Sequence, residues 1–272
     1  MADTLNAVVS ERFDVGPGLM ILRVAPRGWD LPAFEAGQYG VLGLPAGAPR
    51  CPNSDPEPAP PDPEKLIKRA YSVASSSLAR EYAEFYVTLV HSGALTPRLF
   101  ALAPGDPVFL SPRIVGMFTI DRVPEDKHLV LVGTGTGLAP YVSMLRSRLV
   151  CGGPRRFHVL LGARHSWDLG YHGELRALQH ECPNVRYEPT ISRPAEEPVP
   201  WHGAVGYVQD LWTGGSVTAA WGFPPAPDNC HVFLCGNPAM VETMLETLAA
   251  EGFKEHHARK DPDGQIHTEK YW

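Results

Sequence analysis

The chain lacks an excess of positive charge, a C-x-x-C pair, a long apolar run and a basic-then-apolar leader, and each absence removes a class of function. Lys and Arg number 24 against 30 Asp and Glu, a net charge of -6. Nucleic-acid binding calls for a basic face, and this balance gives none. The five cysteines, Cys51, Cys151, Cys182, Cys230 and Cys235, are odd in number and scattered. No pair has the spacing that holds zinc or an iron-sulfur cluster, so the expectation is free thiols in a reducing compartment and no metal. No stretch approaches the roughly 18 apolar residues of a membrane span. The start, Met1-Ala2-Asp3-Thr4-Leu5-Asn6, does not read as a secretion signal. These absences predict a soluble, cytoplasmic protein with no nucleic-acid or membrane partner.

What is present fills two domains. A length of 272 residues suits two cores better than one, and 44% apolar residues is ordinary for a globular protein. Asn6 to Val24 reads as two strands joined through Asp14-Val15-Gly16-Pro17-Gly18, and Gln38 to Leu44 as a third. Arg69 to Ala74, Glu84 to Val90 and Pro107 to Ser111 add three more, which predicts a closed antiparallel β-barrel of about six strands. A short helix is expected over Thr96 to Ala101, with Thr96 capping and Pro97 in the first position. Between Pro45 and Pro63 there are eight prolines and almost no large apolar residue. That stretch is predicted to be an exposed loop inserted in the barrel, unable to pair in a sheet or bury a face.

Beyond Asp121 the period changes. His128 to Val132, Phe157 to Leu161, Val185 to Ile191 and His231 to Leu234 are short apolar runs, and helical spacing follows from Leu138, from Glu174 to Cys182 and from Ala239 to Ala250. Strands alternating with helices imply an open parallel sheet of the α/β dinucleotide-binding type. The boundary is expected between 120 and 127, giving residues 1–122 as the barrel domain, with the insert at 45–68, and residues 123–272 as the α/β domain.

Several motifs carry chemistry. In Arg69-Ala70-Tyr71-Ser72 the strand alternation puts Arg69 and Tyr71 on one face and Ser72 on the other. Arg69 suits a diphosphate, Tyr71 a flat ring and Ser72 a ring nitrogen. Taken alone, the stretch also reads as a solvated edge strand. Gly133-Thr134-Gly135-Thr136-Gly137 lies between a buried strand and a helix, where backbone N–H groups can approach a diphosphate, though the spacing is not G-x-G-x-x-G. Cys235 ends an apolar strand at the carboxyl edge where open sheets bind ligands; a lone buried Cys is otherwise plain packing.

In their order, Arg69-Ala70-Tyr71-Ser72, Gly93-Ala94-Leu95-Thr96-Pro97-Arg98-Leu99, Gly133 to Pro140, Cys235-Gly236-Asn237-Pro238 and Glu269-Lys270-Tyr271-Trp272 resemble the ferredoxin (flavodoxin) NADP reductases. The resemblance is closest to their bacterial, FAD-containing branch with an aromatic C-terminus, and covers nearly all of the chain outside 45–68. It implies FAD held by Arg69, Ala70, Tyr71, Ser72, Val87, Leu95, Thr96 and Trp272. It implies NADP held by Gly133, Thr134, Gly135, Thr136, Gly137, Gly236 and Asn237, with Ser192, Arg193 and a second cation, Arg164, at the 2'-phosphate, and Tyr207 with Gln209 at the adenine. Cys235 would border the nicotinamide, Ser72 and Glu269 would assist hydrogen bonding and proton transfer at the flavin, and Tyr271 would cover its ring.

Around Gly203-Ala204-Val205, where the family commonly has a further Arg, there is none. The expected margin of NADPH over NADH is reduced accordingly. The implied partner is an acidic electron-transfer protein, ferredoxin or flavodoxin, with Lys65, Lys68, Lys254, His256, His257, Arg259 and Lys260 as docking candidates. Without a ligand, the last five read as cations favoured at a helix C-terminus. The rival readings are an NAD(P)H-dependent reductase component feeding an oxygenase or free flavin, and a flavin-binding sensor module.

Overall fold

The computed structural model describes residues 5–58, 62–257 and 261–270, so Arg259, Lys260, Tyr271 and Trp272 lie outside it. The chain divides into two compact units. One comprises residues up to Thr119 together with Ala139–Arg148; the other comprises Ile120–Leu138 and the chain from Leu149 onward.

The first unit is antiparallel. Its strands are β1 (Ala7–Gly16), β2 (Leu19–Pro26), β3 (Tyr39–Pro45), β4 (Leu66–Ser72), β5 (Ala83–Thr88) and, after helix α1 (Thr96–Leu99), β6 (Pro107–Leu110). They lie in the order β4-β3-β6-β1-β2-β5, and a bridge between Val73 and Phe85 joins the two edge strands into a barrel. Met20, Leu22 and Val24 alternate inward along β2 and are fully buried with Leu42, Phe85, Leu99 and Leu110. This is the period-2 burial that the sequence alternation predicts.

The proline-rich segment departs from the expectation of a plain excursion. Its last residues, Leu66 and Ile67, already belong to β4, pairing with Pro45 and Leu44. Its first half is stitched to the stretch that leads into α1. The Arg50 guanidinium donates to the carbonyls of Gly93 (3.1 Å), His91 (3.2 Å) and Asp55 (2.9 Å), and pairs with Glu57 at 2.6 Å. Glu57 also accepts from Arg98, which holds its carboxyl below the usual carboxylate range, while Cys51 N–H donates to Pro97 O at 2.9 Å. This first half satisfies polar groups on side chains and distant carbonyls, and so it holds its place without periodicity.

Helix α2 (Ala139–Arg148) packs into the first unit although it follows the glycine-rich turn. Ser143 Oγ donates to Ser75 O at 2.7 Å, and Arg146 Nη1 donates to Ala74 O at 3.1 Å and Glu84 Oε1 at 2.6 Å. Glu84 is 1% exposed and takes Arg23 on its other oxygen at 2.7 Å. A carboxylate removed from water needs such partners; deleting one typically costs about 3–5 kcal/mol.

The second unit is a parallel sheet, β10-β9-β8-β7-β11-β12. Its strands are β7 (His128–Thr134), β8 (Phe157–Ala163), β9 (Val185–Ile191), β10 (Ala204–Val205), β11 (Cys230–Gly236) and β12 (Ile266–Lys270). Its helices are α3 (His172–Glu181), α4 (Val208–Thr213), α5 (Ser216–Trp221) and α6 (Pro238–Ala250), the last capped by Asn237, which accepts from Ala239 N–H at 2.8 Å. Leu129 to Val132 in β7 are fully buried, as a central parallel strand requires.

One expectation is corrected here. Cys151 and Cys182 form a disulfide, with Cα atoms 4.8 Å apart, so the cysteines are not all free thiols; Cys51, Cys230 and Cys235 are. The pairing is tertiary in origin: α3 returns the chain to the end of the sheet where β8 begins, and Asn184 clamps that corner through Gly152 N–H (2.8 Å) and Val150 O (3.0 Å). Of the basic residues after α6, Lys254 and His256 are held by backbone bonds to Ile266. His256 N–H donates to Ile266 O at 2.8 Å and Ile266 N–H to Lys254 O at 2.9 Å, so this stretch runs beside β12. There His231 Nδ1 meets His267 Nε2 at 3.0 Å, His267 stacks on Phe233 at 4.3 Å, and His256 lies 4.8 Å from His267. Burial pulls His231 down to about 4 and His267 to about 3.

Among the described residues no helix is long and apolar enough to cross a membrane, and no cluster of His, Cys, Asp or Glu is arranged to hold a metal ion.

Candidate functional site

The C-terminal ends of β7, β11 and β12 converge. Gly133 pairs with Cys235, and Cys235 with Glu269, whose Oε2 lies 3.9 Å from the thiol; Cys235 is fully buried. After β7 the chain makes a 3-10 turn, Gly135–Leu138, with Gly135 at φ +53°. A side chain at Gly137 would put its Cβ 2.3 Å from Cys235 O, and one at Gly236, where φ is +131°, would put it 2.3 Å from Thr134 Oγ1. That hydroxyl accepts from Asn237 N–H at 2.8 Å and ties the two strand ends together. The glycines are therefore needed for backbone-on-backbone approach. Thr136 lies within the same turn.

A second cluster forms where β8 and β9 end. Ser192 N–H donates to Ala163 O and Arg193 N–H to Arg164 O, both at 3.0 Å, which brings Arg164, Ser192 and Arg193 together. The two-residue β10 pairs with Thr190 and Ile191, and Gly206 N–H reaches Ile191 O at 3.0 Å. Tyr207, which is 65% exposed, follows Gly206 directly and precedes Gln209 on α4. Arg193 is half exposed and has Glu196 at 3.6 Å. His165 bonds Glu196 through Nε2 (2.8 Å) and Asp168 through Nδ1 (3.1 Å) and stacks on Trp167 at 4.3 Å. Burial lowers the His165 pKa, but the bonds to Glu196 and Asp168 outweigh it and raise the pKa, while Glu196 is held low chiefly by His165. Sequence reasoning passed over His165 and Glu196, although the Arg193/Glu196 spacing of three was a visible signal.

In the first unit Arg69 and Ala70 are exposed on β4, and Arg69 Nη1 donates to Lys68 O at 2.7 Å. Tyr71 is half buried edge-on to Phe85 at 6.4 Å, where burial raises its hydroxyl pKa, and Ser72 is 4% exposed. The Val87 and Leu95 side chains are in the barrel core, at 1% and 2% exposure, which leaves only their backbone for a ligand. Thr96 does not cap α1: the N-cap is Leu95, and the Thr96 hydroxyl exchanges hydrogen bonds with Val90 at 3.0 and 3.2 Å. Tyr271 and Trp272 lie outside the described residues.

Residues 131–246 match the oxidoreductase NAD-binding domain family. The chain is 35% identical over 244 residues to ferredoxin--NADP reductase B of Sorangium cellulosum, covering 88% of this chain and 85% of that one. It is 30% identical over 240 residues to the flavodoxin/ferredoxin--NADP reductase of Shigella flexneri, covering 88% of each. In fold it is similar to a ferredoxin NADP+ reductase from Neisseria gonorrhoeae solved with bound FAD and NADP, with a TM-score of 0.79 at 23% identity over 98% of both chains. With an antiparallel barrel, a parallel sheet and relatives of this identity along most of its length, the chain belongs to the ferredoxin (flavodoxin) NADP reductase family.

Proposed function

We propose that the protein moves electrons between NADPH and ferredoxin or flavodoxin through FAD, in the cytoplasm, with FAD on the barrel of residues 1–122 and NADP on residues 123–272. The observation that carries this reading is 30–35% identity to such reductases over most of both chains.

The residues present fit both groups. The missing Cβ atoms at Gly137 and Gly236 let the Gly135–Leu138 turn close on the end of β11, and a glycine-rich turn of this kind suits a diphosphate lying on backbone N–H groups. Exposed Arg69 offers a guanidinium for the FAD diphosphate, and the exposed Tyr207 ring a face for adenine. FAD, when bound, supplies the step from hydride to single electrons.

The protein's part is positioning. Arg69, Ala70, Tyr71 and Ser72, with backbone groups of Val87, Leu95 and Thr96 and the ring of Trp272, hold and orient the flavin. Gly133 to Gly137, Gly236 and Asn237 hold the nicotinamide end of NADP, and Arg164, Ser192, Arg193, Tyr207 and Gln209 its phosphorylated adenosine. Cys235, fully buried against the strand end, borders the nicotinamide and excludes water. Glu269 and Ser72 hold or move a proton at the flavin, and Tyr271 covers its ring until nicotinamide displaces it. Lys65, Lys68, Lys254, His256, His257, Arg259 and Lys260 are the cations for an acidic partner.

A visible spectrum of the purified protein, then anaerobic titration with NADPH and with NADH, tests this directly. A flavin band bleached by NADPH is expected; a colourless protein that does not take up FAD defeats the reading. Arg69→Ala should lower FAD affinity roughly ten- to a hundredfold, the worth of a charge-assisted hydrogen bond.

A further inference from the structure

The Arg193 cluster contains an acid where an anion is to be bound. Arg193 has the Glu196 carboxylate at 3.6 Å, and the same carboxylate holds His165 at 2.8 Å. The neighbouring turn is fixed independently: Glu197 accepts from Ser166 N–H (2.7 Å) and Oγ (2.6 Å), and Arg193 N–H reaches Arg164 O at 3.0 Å. Glu196 is thus free of any role in tying the two turns through their backbone, and its carboxylate is directed at Arg193 and His165. Resting on the coenzyme reading above, we propose that Glu196 is a specificity-determining residue: its carboxylate competes with the coenzyme 2'-phosphate for Arg193, and thereby limits the preference for NADPH over NADH.

Two physical points set the size of the effect. The Arg193–Glu196 pair is solvent-exposed, with side-chain exposures of 50% and 56%, and exposed pairs are weak and screened by salt, so a dianionic phosphate can displace the carboxylate. Glu196 then stays on His165, which also faces Asp168 on its other nitrogen and has Arg164 as its chain neighbour. The cost to the phosphate is the Arg193–Glu196 attraction that it must break. NADH has no 2'-phosphate and feels none of it.

The test uses the full-length flavoprotein and adenosine 2',5'-bisphosphate as a binding probe, with steady-state kinetics for both coenzymes. Glu196→Gln and Glu196→Ala should each tighten the probe roughly three- to tenfold at low salt and lower the KM for NADPH by a similar factor, raising the NADPH-to-NADH ratio of kcat/KM. In Arg193→Ala the same substitutions should give no gain, since the competition is for that guanidinium. Unchanged or weaker probe binding in both single variants, or an equal gain without Arg193, overturns the proposal while leaving the coenzyme site standing. Failure of the unaltered protein to bind the probe overturns both.

Discussion

Two stretches of one sheet edge are built by opposite means. Around Gly137 and Gly236 the fit is backbone against backbone, with no room for a single added carbon. Around Arg193 it is made of half-exposed charged side chains at distances up to 3.6 Å. The first is governed by excluded volume, which tolerates almost nothing; the second by screened electrostatics, which grades smoothly with each charge. A coenzyme gripped in this way would have its diphosphate fixed and its phosphate selectivity open to tuning.

The sharpest way to break this contrast is Gly137→Ala. The new Cβ would stand 2.3 Å from Cys235 O, and backbone must move. The expected result is a loss of roughly 1–3 kcal/mol or more in stability, read by thermal unfolding, and near-complete loss of NADP binding with FAD content retained. Normal NADP affinity in this variant would mean the turn does not carry the coenzyme.

Arg193→Ala should do less, and only to one coenzyme. NADPH kcat/KM is expected to fall about tenfold or somewhat more, mostly through KM, with NADH turnover unchanged, because an exposed guanidinium delivers the lower end of a charged hydrogen bond. An equal loss with both coenzymes would shift Arg193 from selectivity to structure.

Acid should act on stability through the buried histidines beside β12. His231 and His267 are held at about 4 and about 3, below the ordinary 6.5, so between those values the unfolded chain binds more protons than the folded one. Stability is therefore full above about pH 6.5 and declines as pH falls toward 4, with a slope near 1.4 kcal/mol per pH unit for each extra proton. Replacing both histidines with glutamine should flatten the limb in a pH series of unfolding midpoints.

Much of the scaffold was legible. The period-2 runs of β2 and the buried run of β7 announced a barrel and then a parallel sheet, and the three glycines between strand and helix marked the turn. What was not legible shares a cause: it depends on contacts distant in sequence. β12, Ile266–Lys270, has one apolar residue and is a strand because β11 and the stretch after α6 flank it. α4 and α5 are short and split by Gly214 and Gly215, too brief to show a period. The Cys151–Cys182 bond spans 31 residues, and Arg50 finds its carbonyl acceptors at His91 and Gly93. In the candidate site, residue types were readable from motifs, whereas the acid beside Arg193 became meaningful only once its distances were known.

The path of the chain through α2 bears on how such a protein can be taken apart. Backbone passes from one unit to the other at residues 119–120, again at 138–139 and again at 148–149. No single cut yields two whole pieces. A fragment ending at residue 122 would carry Glu84 without Arg146 and without the helix that covers it, leaving a buried charge half neutralised. Gene fusion and recombination that treat domains as beads on a string would sever this carboxylate from its guanidinium partner.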